Sequence, residues 1–202
     1  MGRKKKYDEA EALEKAMFLF WRNGYNSVST RDLADAMGIN QYSLYASFQS
    51  KEALFVHALK RYMDAMVTGW FVRPLIDQAD GLTGIRLFFE NFVEPGNGSI
   101  PTGCLICNTI VETEKPKPDV QSVIDRYQST LKKAFTGALR QSNPEATTQE
   151  VASKAELLLC LTLGIAVKKR NGYQGSPVQK VVNQIIDFVT PSSLNVNKLG
   201  RT

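Results

Sequence analysis

An all-α fold is what this 202-residue sequence predicts, with an N-terminal three-helix helix-turn-helix domain and a larger helical domain behind it. Three observations predict it. Apolar residues recur at i, i+3, i+4 and i+7 along most of the chain. Alternating strand patterns are sparse. Small polar residues and glycines stand where helices of that phase need starts and stops.

The first helix shows the pattern in Leu13, Ala16, Met17 and Phe20, with Asp8, Glu9 and Glu11 at its positive end and Gly24 as its stop. Ser29-Thr30-Arg31-Asp32 reads as a capping box opening a second helix, whose buried stripe is Leu33, Ala34 and Met37. Gly38 ends it. Asn40 then caps a short third helix with Leu44 and Phe48 facing inward. Ser50 caps a fourth, carrying Leu54, Phe55, Ala58, Leu59, Tyr62 and Met66 on one side and running to about Phe71, before Pro74. Further helices are expected near 82–93, 104–113, 119–142, 147–169 and 177–189, separated by Asp80-Gly81, by Pro95 to Pro101 and by Lys115-Pro116-Lys117-Pro118. The domain reading is 1–50 for the head, 51–73 for a connecting helix, 74–190 for the larger domain and 191–202 for a tail.

Composition narrows the class. Hydrophobic residues make up 43% and the formal net charge is +5, so the chain is globular and moderately basic. Arg3, Lys4, Lys5 and Lys6 form a run ahead of the first helix, either a solvated tail or an arm that reaches phosphates. That run leads into Tyr7, Asp8 and Glu9 instead of an apolar stretch, so no secretory signal is expected, nor any membrane span. Three cysteines (Cys104, Cys107 and Cys160) are no disulfide framework, and a reducing cytoplasm is the expected setting. One histidine, no metal-ligand cluster and no phosphate loop speak against an enzyme, a cofactor or a metal site.

Two helices joined through Met37-Gly38-Ile39-Asn40 form the helix-turn-helix pattern. Leu33, Met37, Ile39, Leu44 and Phe48 brace the corner. The third helix then offers Gln41, Tyr42, Ser43, Tyr45, Ala46 and Ser47, and residues 41–49 carry no charge. A helix meant only for water normally carries Lys and Glu. An amide and hydroxyls suit base edges in a major groove. Tyr45 as a core aromatic and Gln41 as a cap are the simpler alternatives.

The segments Ser29 to Ala34, Met37-Gly38-Ile39, Ser43-Leu44-Tyr45, Phe48 and Ser50-Lys51-Glu52-Ala53-Leu54 resemble the DNA-binding head of the TetR family of transcriptional regulators. Tyr42 departs from the small residue or proline often found at that position. The resemblance implies that Thr30 and Arg31 contact backbone or groove, that Gln41, Tyr42, Ser43 and Ser47 read or flank bases, and that Tyr45 and Lys51 hold phosphates. Thr102-Gly103-Cys104-Leu105, Asn108-Thr109, Glu112 and Leu161 to Ile165 resemble one branch of that family's regulatory domains. The implied protein is a ligand-responsive repressor, a homodimer on a palindromic double-stranded DNA operator, with a small-molecule effector.

Candidate pocket residues are Trp70, Phe71, Phe88 and Phe92, with Cys104; plain core is the alternative for the aromatics. Candidate dimer residues are Leu157, Leu161, Ile165, Val178, Val182 and Ile185, against the alternative of a buried central helix. Cys104 and Cys107 form a C-x-x-C at a helix start, so either a redox sensor acting through Cys104 or two small buried residues is expected. A helical adaptor that binds no DNA is the remaining alternative.

Overall fold

The computed structural model describes residues 7–93, 100–172 and 176–190, with side chains of the last segment from Gln179 onward. The Arg3 to Lys6 run, the Pro95 to Ser99 punctuation, the side chain of Val178 and the 191–202 tail lie outside the described residues. Ten α-helices and one π-helical segment make up the described chain, and no strand occurs among those residues.

Two compact units emerge. The first comprises Met1–Met66 and Gly96–Tyr127. It contains α1 (Glu9–Asn23), α2 (Thr30–Met37), α3 (Gln41–Phe48), α4 (Lys51–Tyr62), α7 (Leu105–Glu112) and the start of α8 (Pro118–Ser142). Helix α1 packs on α2 and α4, α3 closes against α2 and α4, and α7 adds to α1 and α4. Phe20, Trp21, Leu33, Leu44, Leu54, Leu59 and Tyr62 fill the core. Its rings meet edge-on, Trp21 with Tyr62 at 4.8 Å and Phe20 with Phe55 at 4.9 Å. Leu13 is only half-buried, while Ala12 and Trp21 are buried on the same helix.

The second unit comprises Val67–Pro95 and Gln128–Thr202. Here α6 (Gly81–Val93) packs against α5 (Arg73–Asp77), α9 (Thr148–Arg170) and α10 (Ser176–Val189). Gly81 is required for space: a Cβ there would lie 1.8 Å from the Ala138 carbonyl oxygen of α8. Buried Lys169 donates to the Phe92 carbonyl at 2.7 Å, answering a free acceptor at the end of α6.

Two expectations change. The fourth helix does reach Phe71, but from Met63 it is π-wound, with Val72 N–H bonding Val67 O across five residues. The wider turn moves the inward stripe. A 3.6-residue phase carries it from Tyr62 to Met66, yet Met66 is half-buried and Val67 and Val72 are buried, at steps of five. Pro74, expected only to stop a helix, stands in the first turn of α5, where its missing N–H costs nothing.

Candidate nucleic-acid interface

Local chemistry fixes the two helices at the corner. Ser29 Oγ accepts from Asp32 N–H at 3.1 Å, and Ser29 N–H donates back to Asp32 Oδ2 at 2.8 Å. The Ser29 hydroxyl also donates to that oxygen at 2.6 Å, and these bonds hold the Asp32 carboxyl below its ordinary range. Gly38 takes the left-handed conformation, φ 70°, that lets α2 turn into α3. Asn40 Oδ1 accepts from Ser43 N–H at 2.7 Å, starting α3.

That start sets the phase of α3. Leu44 and Phe48 are buried, four residues apart, against α2 and α4. Gln41, Tyr42, Tyr45 and Ala46 therefore share the outer face, all exposed, Tyr42 at 83% and Tyr45 at 47%. Ser43 and Ser47 are half-buried at the edges of that face. Ser47 Oγ is engaged by the Tyr7 hydroxyl at 2.6 Å. In α2, Arg31 is exposed and Thr30 half-exposed at the N-terminal end. The surface is a short uncharged helix face edged by one arginine.

Lys51 opens α4 directly after the Ser50 cap, whose Oγ accepts from Ala53 N–H at 3.0 Å. Its ammonium lies 4.3 Å from the centroid of the Tyr25 ring, and partial burial there lowers its pKa. Next to it, Glu52 accepts from Lys117 Nζ. Tyr7, Tyr25, Glu52 and Lys117 escape sequence reasoning. The Glu52–Lys117 pair spans 65 positions and leaves no periodic trace.

The other candidates separate. Phe71, Phe88 and Phe92 join Phe89 and Phe135 in one ring cluster, centroids 4.9–5.9 Å apart. They are core in the second unit. Trp70 stacks on Phe71 at 4.9 Å and is exposed, so it does not belong to that interior. Cys104 belongs to the first unit. On α9 and α10, Ile165, Val182 and Ile185 are buried in the chain's own core and offer no surface to a partner. The reason is phase: Val182, Ile185, Ile186 and Val189 form the inner stripe of α10, which packs on α6. Leu157 is exposed and Leu161 half-exposed on α9, and Phe188 is exposed on α10.

Cys104 is the N-cap of α7, after Gly103 at φ 83°. Cys104 and Cys107 are both buried, and Cys107 Sγ lies 3.2 Å and Cys104 Sγ 3.9 Å from the Tyr127 hydroxyl. Burial raises the Cys104 thiol. The polar groups around it, the Cys107 thiol and the Tyr62 and Tyr127 hydroxyls, outweigh burial and draw it down to about 7, while burial and Cys104 push Cys107 up. No group of three or more acidic, histidine or cysteine side chains able to hold a metal occurs among the described residues.

Residues 12–58 match the sequence model of bacterial regulatory proteins of the tetR family. The chain is 28% identical over 175 residues to the HTH-type transcriptional repressor ComR of Escherichia coli (strain K12), covering 85% of this chain and 83% of that protein. It is 26% identical over 177 residues to the HTH-type transcriptional repressor BdcR of the same organism, covering 85% and 84%. Among solved structures, a cysteine-substituted form of the TetR family transcriptional regulator CifR, complexed with 26-bp double-stranded operator DNA, superposes with a TM-score of 0.78 at 24% identity. That match covers 92% of this chain and 98% of the other.

Proposed function

From the match of residues 12–58 to the tetR family of bacterial regulatory proteins and the likeness to ComR, we propose that the chain is a TetR-family transcriptional repressor that reads a palindromic operator through α3 and is released by a small effector. The observation that carries this reading is the uncharged outer face of α3, held out by buried Leu44 and Phe48. Gln41 and Tyr42 meet base edges, with Ser43 and Ser47 flanking them. Arg31, Thr30, Tyr45 and Lys51 take the phosphates. Lys51 suits that task because its ammonium is fixed over Tyr25 at a helix start, where free N–H groups also favour an anion.

The division of labour follows: residues 1–50 contact DNA, 51–73 connect, and 74–190 regulate and dimerise. Two heads are needed because half-sites lie roughly 34–36 Å apart. The relatives ComR and BdcR are transcriptional repressors by name, and on this reading the chain acts in the cytoplasm by binding alone. Among the described residues no helix is long and apolar enough to cross a membrane. Selection of bound duplexes from a random pool is the test: a symmetric site is expected, and recovery without sequence preference would refute the reading.

A second reading, regulation through Cys104, is favoured by one observation: two buried thiols at the start of α7, Cys104 at its N-cap and Cys107 one turn on, both on the Tyr127 hydroxyl. Its burial admits only a small oxidant such as peroxide. The Cys104 thiolate would attack one peroxide oxygen, the O–O bond would break, and hydroxide would leave as water after taking a proton. The Cys107 thiol would then displace the sulfenic hydroxyl as a second water, closing a disulfide. Peroxide should lower operator affinity in the wild type and not in Cys104→Ser; equal loss in both sinks this route.

A further inference from the structure

The first unit contains a second feature that the DNA-contacting face does not use. A cleft of about 200 Å³ opens between the loop after α1, the first turns of α4 and the segment joining α7 to α8. Its wall is apolar, made by Phe55, Val120, Pro116 and the Tyr25 ring. Its polar residues include Lys115, Lys117 and Glu52, the one carboxylate among the lining residues. Glu52 is occupied by Lys117. Lys115 meets no acidic partner among the described residues, and Lys51 adds a third ammonium on the Tyr25 ring. Tyr25 itself stays protonated, its hydroxyl raised by burial and by Glu52.

These properties select an occupant. Lys115, Lys117 and the adjacent Lys51 outnumber the two carboxylates nearby, Glu52 in the lining and Glu112 beside Gly24, so the cleft disfavours a cation and attracts an anion. The apolar wall gains only from a ligand with a flat hydrocarbon body. The volume falls below the roughly 300–1,000 Å³ of sites for drug-sized ligands, so a single ring is the scale that fits. We propose that this cleft is an effector site for a small aromatic carboxylate, its anion held by Lys115 and Lys117 and its ring laid on Tyr25, Phe55 and Val120.

The site is wired to the head by charge. A ligand carboxylate competes with Glu52 for Lys117. The released Glu52 remains in the first turn of α4, next to Lys51, and repels an approaching phosphate. This regulatory half rests on the DNA-binding reading above; the binding half does not.

Calorimetry on the full chain with benzoate as the probe tests the site. Acetate (charge without ring) and benzylamine (ring with opposite charge) serve as controls. Benzoate should saturate one site per chain with a Kd of about 1 mM or below, and both controls should bind at least roughly tenfold more weakly. The double substitution Lys115→Gln with Lys117→Gln should weaken benzoate roughly tenfold or more, with an unchanged unfolding midpoint showing that the unit still folds. Equal affinity for benzylamine, undiminished binding by the double variant, or no saturable heat at millimolar benzoate overturns the site. In a shift assay on the selected operator, benzoate should weaken the wild-type complex and leave that of the double variant unchanged. Binding without any effect on the operator complex overturns the regulatory half alone. Failure to select any operator counts against the DNA reading, while calorimetry still decides the cleft.

Discussion

Gln41 and Lys51 open consecutive helices and are predicted to fail differently. Gln41 is exposed on a face that carries no charge, so an amide can pair with an adenine edge there and almost nothing else competes for it. Gln41→Ala should relax preference at one base position, worth about 1–3 kcal/mol of discrimination, and leave other positions unchanged. Lys51 contributes a charge and no base pattern. Lys51→Ala should weaken binding to every sequence and flatten the dependence of log affinity on log salt by about one ion. Binding titrations over a panel of single-base operator variants, repeated at several salt concentrations, separate the two; identical behaviour of both variants contradicts the assignment. Tyr25 matters to the same measurement because its ring fixes Lys51. Sequence reading singles out Gln41 and Lys51 through local motif context. It missed Tyr25 and Tyr7, because a ring under an ammonium and a hydroxyl 40 positions from Ser47 are tertiary facts.

Helix starts were the most legible elements, because a cap is local chemistry. Ser29, Asn40 and Ser50 were each read as caps, and each accepts from a backbone N–H of its own helix. Asn40→Ala should cost about 1 kcal/mol of stability by removing the Ser43 contact, readable as a shift of the denaturant midpoint at constant slope. The carboxyl halves of the capping boxes add a pH dependence. Asp32 in α2 and Glu150 in α9 accept from Ser29 and Thr147, and these bonds lower each folded-state pKa below the ordinary 3.8 and 4.5. A depressed acid stabilises the fold fully above its unfolded value. The contribution vanishes as pH falls through the folded value. The melting temperature should therefore drop on acidification below about pH 5, less steeply in Asp32→Asn and Glu150→Gln than in the wild type. Parallel acid profiles in all three proteins refute the linkage. The π-wound stretch was not legible. Its register shows only in burial, Val67 and Val72 replacing Met66, and no local residue type announces a five-residue repeat.

At the scale of the molecule, apolar runs are ambiguous between a chain's own core and a surface for a partner. Leu157 to Val167 reads as apolar nearly all round, yet the structure divides it: Leu158, Leu159 and Ile165 are buried, and Leu157 is exposed. The same division on α10 buries Val182 and Ile185 and leaves Phe188 at 52% exposure. Phase against neighbouring helices decides this, and phase depends on packing the sequence does not state. Exposed Leu157 and Phe188 are the residues to test for self-association, since a phenylalanine left in water gains most from a partner's cover. A single eight-residue recognition helix reads too few bases for tight specific binding, so operator affinity should depend on two heads held together. Sedimentation of the wild type at micromolar concentration should give a dimer. Leu157→Asp and Phe188→Asp should each shift it toward monomer without lowering the unfolding midpoint of the chain, because neither side chain is in the core. Operator binding by those variants should weaken and become second order in protein concentration. A wild type that sediments as a monomer while binding a symmetric operator tightly would refute pre-formed dimerisation. Dimers unaffected by either aspartate would place the interface elsewhere on the chain.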